Sequence, residues 1–221
     1  MSLITPNSFI HTTGTTSSNV NDNSTPTTIF FITGNPGLIA YYHTFLSLLS
    51  SKLASSSSIS SESPGQYEYG RFQVYGHSLA GFELPESESE TAQQQQNQPE
   101  TGCYNLEEQI CFVQRRLDEF IANNGNSNGN GKHKVILIGH SVGSYIAMEV
   151  LRRHRERQKT KTTTSRVAEG VEFDIIGGVM LFPTVVDIAK SPAGERLTVH
   201  PPPPRVISFH VMLCLLYGQL C

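Results

Sequence analysis

The pentapeptide Gly139-His140-Ser141-Val142-Gly143 constrains this chain more than any other feature. It is a G-x-S-x-G, and its flanks decide what it means. Lys134–Ile138 (KVILI) is a short apolar run that leads straight into it. Tyr145-Ile146-Ala147-Met148 opens an apolar helix out of it. A strand that turns abruptly into a helix around a serine is a nucleophile elbow. The tight turn forces the serine into strained backbone geometry and stands its hydroxyl at the carboxyl end of the sheet. Small residues on either side, here Gly139 and Gly143, let strand and helix approach closely. Ser141 is therefore the candidate nucleophile. The Val142 N–H, at the helix N-terminus, would face a developing oxyanion. His140 has its side chain set by the turn and is expected to pack. The alternative is an ordinary strand-to-helix turn with a serine cap.

The rest of the chain alternates in the same way. Thr28–Thr33 (TIFFIT) is a continuous apolar run, as a strand buried on both faces would be. Phe72–Tyr75 is a second, weaker strand, Lys134–Ile138 a third, and Asp174–Phe182 a fourth loosened by its Gly-Gly pair. A helix is expected from about Tyr41, with Tyr42, Phe45, Leu46, Leu49 and Leu53 on one face. Asn105 is a candidate cap, with Glu108 three residues on and Ile110, Val113, Leu117 and Phe120 on one face. The helix after the elbow is expected over Ser144 to about Arg157. Four tracts are expected to be loops: Ser55–Ser63, Glu86–Glu100, Asn123–Gly131 and Lys159–Ser165. Their composition buries too little apolar surface to offset ordering. Strands alternating with helices imply an α/β fold with a mostly parallel sheet.

Further candidates follow from where loops meet the carboxyl ends of strands. Thr33-Gly34-Asn35-Pro36-Gly37 follows the first strand, where a second oxyanion donor would come from. Pro36 has no N–H, so the donor would be Asn35 or Gly37; a turn needing Gly and Pro only for shape is the alternative. His77, in Tyr75–Gly81, precedes the nucleophile and so suits pocket lining or chain turning better than general base. After Ser141 stand His154, among Arg152, Arg153 and Arg155 on an expected solvated face, and the distant His200 and His210. Asp187 is the best acid left, although a first-turn helix charge explains it as well.

Composition narrows the function. The chain has 221 residues and a net charge of −3, with no basic patch for nucleic acid. Its four cysteines show no C-x-x-C, so neither a metal site nor a disulfide scaffold is expected. No dinucleotide or P-loop fingerprint follows the first strand, and no cofactor is expected. The N-terminus lacks a secretory pattern, and no apolar run reaches the roughly 20 residues of a spanning helix. A soluble or peripherally attached intracellular protein is expected.

The segments FFITGNPGLIAYYHTF, YNLEEQICF, VILIGHSVGSYIAMEVL and VMLFPTVVDIAKSPAGERLT, with Gly-His-Ser near Gly76, carry a likeness. Through them the sequence resembles the lipid droplet-associated hydrolases, a branch of the α/β-hydrolase superfamily. The resemblance covers about Ile29 to Thr198. It implies an α/β-hydrolase-type sheet with flanking helices, and hydrolysis of a lipid carboxylic ester, sterol esters included, in lipid storage. It implies a place at the lipid droplet or endoplasmic reticulum surface, on the cytoplasmic side. It also implies a lid and further strands, bearing the acid and histidine, that this chain is expected to lack. The expected organisation is thus a disordered segment over 1–27, a partial hydrolase domain over 28–198, and an aberrant or disordered tail over 199–221. Two functions stay open: a serine hydrolase acting through Ser141, or a non-catalytic lipid-droplet-binding protein or inactive fragment without the rest of the triad.

Overall fold

Ile29 to Ile32 are four consecutive large apolar side chains, and all four are buried. They form the strand β3 (Thr27–Ile32), which is covered on both faces. The computed structural model describes residues 2–13, 26–57, 71–84, 104–124, 132–163 and 172–184. In it β3 lies between β4 (Phe72–His77) and β5 (His133–His140), parallel to both. β6 (Phe173–Leu181) pairs parallel with β5. The expected mostly parallel α/β sheet with flanking helices is observed. Among the described residues it is an open, six-stranded, α/β-hydrolase-type sheet of order β1-β2-β4-β3-β5-β6.

Side-chain alternation sorts the core into two layers. Phe30 and Ile32 join Tyr75, Leu137 and Phe173 beneath α2 (Leu106–Asn124) and α3 (Val142–Thr163). Phe31 and Ile29 join Val74 and Ile138 beneath α1 (His43–Ser57), which follows a 3-10 turn at Ile39–Tyr42. Each fully buried side chain of this size is worth about 1.5–3 kcal/mol. The predicted face of α2 is buried at Ile110, Val113, Leu117 and Phe120. Its cap is a capping box: the Glu108 N–H donates to Asn105 Oδ1 at 2.9 Å, and the Asn105 N–H donates to Glu108 Oε2 at 2.7 Å. On α1, Leu46 is buried and Leu49 and Leu53 pack inward, as does Tyr42 at the end of the preceding 3-10 turn, but Phe45 remains 41% exposed.

Three expectations need correction. Residues 2–12, expected within a disordered segment, form the antiparallel strands β1 (Ser2–Ile4) and β2 (Ser8–Thr12), and β2 pairs antiparallel with β4. Phe9 is fully buried, and Asn7 holds Leu84 by both its backbone groups. This long-range anchoring outweighs a locally weak strand signal. Lys159–Ser165, expected as a loop, is helical as far as Thr163. Arg152 pairs with Glu149 and Glu156 along that helix, and Thr160 Oγ1 caps the Glu156 carbonyl at 2.9 Å. Likewise Ser55–Ser57 and Asn123–Asn124 end helices rather than open loops. The tract Glu86–Glu100 and the tail 199–221 lie outside the described residues. Among the described residues, no helix is long and apolar enough to cross a membrane.

Candidate active site

Ser141 stands between the last residue of β5 and the first of α3, and its φ is +52°. A left-handed conformation costs a non-glycine residue about 1–2 kcal/mol. The surroundings hold it there. The Ser141 N–H donates to the Leu181 carbonyl at 2.9 Å, and its own carbonyl accepts from the Ser144 N–H at 3.0 Å and the Thr184 N–H at 3.2 Å. Ser144 Oγ donates to the Gly139 carbonyl at 2.8 Å, tying the helix back to the strand.

The two flanking glycines are required by contact. A Cβ at Gly139 would collide with backbone atoms of Gly143 and Ser144. A Cβ at Gly143 would lie 2.5 Å from the Ile32 and Thr33 carbonyl oxygens. Strand, helix and the end of β3 thus meet backbone to backbone. Strand and helix come this close because neither glycine carries a side chain.

The Thr33–Gly37 loop lies directly on the elbow. A Cβ at Gly34 would be 2.6 Å from His140 Nδ1 and 2.9 Å from Ser141 Cβ. The loop is braced from its other side. The Leu79 N–H donates to the Gly37 carbonyl at 2.7 Å, and the Ile39 N–H donates to Ser78 Oγ at 3.1 Å. The Tyr75–Gly81 segment therefore supports the loop that carries Asn35 and Gly37. His77 is separated from the Ser141 strand by β3, and its Nδ1 meets the Ser78 carbonyl at 2.7 Å. His77 also lines a small cleft with Ser78, Leu79, Phe112 and Arg116, and Ser141 is not among the lining residues.

Tyr42 joins the two halves of the site. The Gly34 N–H donates to Tyr42 Oη at 3.1 Å, and Tyr42 Oη is 2.9 Å from His140 Nδ1. The Tyr42 ring packs on Phe31 and edge-on to His140, with centroids 4.8 and 5.5 Å apart. Burial raises the Tyr42 phenol above its usual range, with the Gly34 N–H acting in the opposite sense, so it stays a neutral O–H. His140 therefore packs, as expected, but through a hydrogen bond that its place in the pentapeptide does not reveal.

Ser141 Oγ lies 3.1 Å from Thr184 Oγ1. Thr184 belongs to a turn that includes Phe182, which has φ +47° and is 84% exposed. The described residues thus bring together Gly139, His140, Ser141, Val142 and Gly143 with Thr33 and Gly34, while Gly37 lies against Leu79 and Phe82. They do not bring His154 to the nucleophile: it is 13 residues along α3, about 19 Å away. His154 is also not solvated as expected. It is 7% exposed, stacks on Phe173, and its Nε2 is 3.1 Å from the Phe173 carbonyl. Asp187, His200 and His210 lie outside the described residues. Among the described residues, no group of three or more His, Cys, Asp or Glu is placed to hold a metal. Tyr42 and Thr184 are the site residues missed in the sequence. Both sit in segments that carry the family likeness, but His140 and Ser141, which they meet, are 98 and 43 residues away.

The chain is similar to known proteins over most of its length. It is 30% identical over 177 residues to the lipid droplet-associated hydrolase of Rattus norvegicus, covering 77% of this chain and 41% of the relative. It is 28% identical to the Gallus gallus protein of the same name, over 76% of this chain and 40% of the relative. The Dictyostelium discoideum protein of that name is 27% identical, over 80% of this chain and 41% of the relative. The chain therefore spans about two fifths of the length of these relatives. No solved structure matches. The profile of the lipid-droplet associated hydrolases matches residues 25–220, a span that runs past the Thr198 boundary drawn from the sequence. With that match over residues 25–220 and the 30% identity to the Rattus norvegicus protein, this chain belongs to the lipid droplet-associated hydrolase family.

Proposed function

We propose that this chain is a serine hydrolase of lipid carboxylic esters, sterol esters included, that serves lipid storage. The observation that carries this is Ser141, held at φ +52° in a turn whose glycines admit no side chain. Ser141 Oγ attacks the ester carbonyl carbon as a general base takes its proton. The carbonyl oxygen becomes an oxyanion, held by the N–H groups of Val142 and of Asn35 or Gly37. The carbon–oxygen bond to the alcohol breaks, the alcohol leaves with the proton, and an acyl-enzyme remains. Water then releases the acid and restores Ser141. The base and its orienting acid come from outside the described residues, and Asp187 is the candidate acid in this sequence.

The exposed Phe182 beside the elbow, edge-on to His140 with centroids 6.1 Å apart, supports an apolar substrate. The relatives' names, lipid droplet-associated, support a place at the lipid droplet; the endoplasmic reticulum surface and the cytoplasmic side enter this proposal through the family resemblance alone. The contact of Ser141 Oγ with a threonine favours one alternative, a non-catalytic lipid-droplet-binding protein. A fluorophosphonate probe separates the two. Labelling that disappears in Ser141→Ala supports the hydrolase. A folded chain that takes no label overturns it and leaves the binding protein.

A further inference from the structure

We infer that Tyr42 is a positioning residue for the reaction, whose phenol locks the Gly34–Gly37 loop onto the serine elbow. The inference rests on the hydrolase function proposed above and goes beyond it, because that mechanism assigns Tyr42 no role. Oxyanion stabilisation needs two amides from two different segments, one from the elbow and one from the loop after β3. Their separation is set by whatever ties the segments together. Gly34 has no side chain to do this, and a Cβ there would collide with His140 and Ser141. Its N–H donates to Tyr42 Oη at 3.1 Å. The same hydroxyl lies 2.9 Å from His140 Nδ1 and bonds it in either tautomer, donating to the bare nitrogen or accepting from its N–H. The relay Gly34 N–H, Tyr42 O–H, His140 Nδ1 thus spans from loop to elbow through one hydroxyl.

The ring has a separate, packing role. It contacts Phe31 and the face of the α1-side core, and these contacts do not use the hydroxyl. Tyr42→Phe therefore removes the tie and leaves the packing.

The test uses the full chain and three readouts: thermal melting, the fluorophosphonate labelling rate, and kcat and KM on a water-soluble p-nitrophenyl ester. Tyr42→Phe is expected to melt within about 3 °C of wild type. Labelling and kcat are expected to fall about 10- to 100-fold with KM unchanged, because a misplaced oxyanion donor acts on the transition state alone. Affinity for a trifluoromethyl ketone, which forms a tetrahedral oxyanion adduct, should fall by a similar factor. Should Tyr42→Phe unfold, His140→Leu removes the phenol's partner on the elbow instead and is expected to show the same split. Where both fold, the double variant should be no slower than the slower single, since one tie is broken once. A labelled wild type with Tyr42→Phe labelling at the same rate overturns this inference and leaves the hydrolase function standing. A wild type that takes no label overturns both.

Discussion

A methyl group at Gly143 tests the elbow at its tightest point. The added Cβ would lie 2.5 Å from the carbonyl oxygens of Ile32 and Thr33. A Cβ comes essentially no closer than 3.0 Å to such an atom, so about 0.5 Å must be found. Neither oxygen can swing aside as a side chain would. β3 is hydrogen-bonded on both sides, to β4 and β5, and its end leads directly into Gly34. Forced repacking of this kind costs about 1–3 kcal/mol. For a chain of this size that lowers the melting temperature by about 2–12 °C. Because Thr33 opens the loop proposed to hold the oxyanion, a shift of this kind should also slow labelling of Ser141, by up to about 100-fold. Gly177 supplies the control. A Cβ there meets nothing within 4 Å, and its φ is not positive. Gly177→Ala should stabilise the chain by about 0.4–1 kcal/mol by restricting the unfolded state. Circular-dichroism melts and labelling kinetics of both variants decide the matter. Gly143→Ala with wild-type melting and wild-type labelling would refute the backbone-to-backbone elbow. Equal destabilisation by both variants would show that the contacts at Gly143 are not the cause.

Three further outcomes are expected. Asn105→Ala breaks the capping box of α2 and should cost about 1 kcal/mol, read as a lower denaturant midpoint with an unchanged slope. Gln109 is buried and pairs with both backbone groups of Ala80, at 3.0 and 2.8 Å; Gln109→Leu leaves a buried donor and acceptor unpaired and should cost about 2–4 kcal/mol, so a wild-type melt would rule this out. The third concerns acid. Burial is the leading cause that pushes His133 and His154 below their ordinary value of 6.5, and His11 and His43 shift the same way. The unfolded chain therefore binds more protons than the folded one just below pH 6.5. Stability is fully present above that pH and is lost as pH falls through it toward the depressed folded values. Melting temperatures taken from pH 7.5 to 5.5 should fall, and His133→Gln/His154→Gln should flatten the slope; an unchanged slope would remove these two residues from the explanation.

Much of the site is legible in the sequence because its signals are local. Gly139-x-Ser141-x-Gly143 after KVILI needs only its own turn to be recognised. The α2 cap is written in Asn105 and Glu108, three residues apart, and β3 in an unbroken apolar run. The sequence alone thus determines the candidate nucleophile, the alternating α/β order and the family. Tertiary structure decides what each polar group meets. It places β2 on the edge of β4, which buries Phe9 and orders residues that look too weak to form strands. It turns His154 from a basic surface to a stack on Phe173. It sets Thr184 on the Ser141 hydroxyl and Tyr42 between Gly34 and His140. The physical reason is range. Periodicity and turn chemistry report on neighbours within a few residues, whereas a buried hydrogen bond is settled by strand order and register. Those bring Tyr42 and His140 within 2.9 Å across 98 residues of chain.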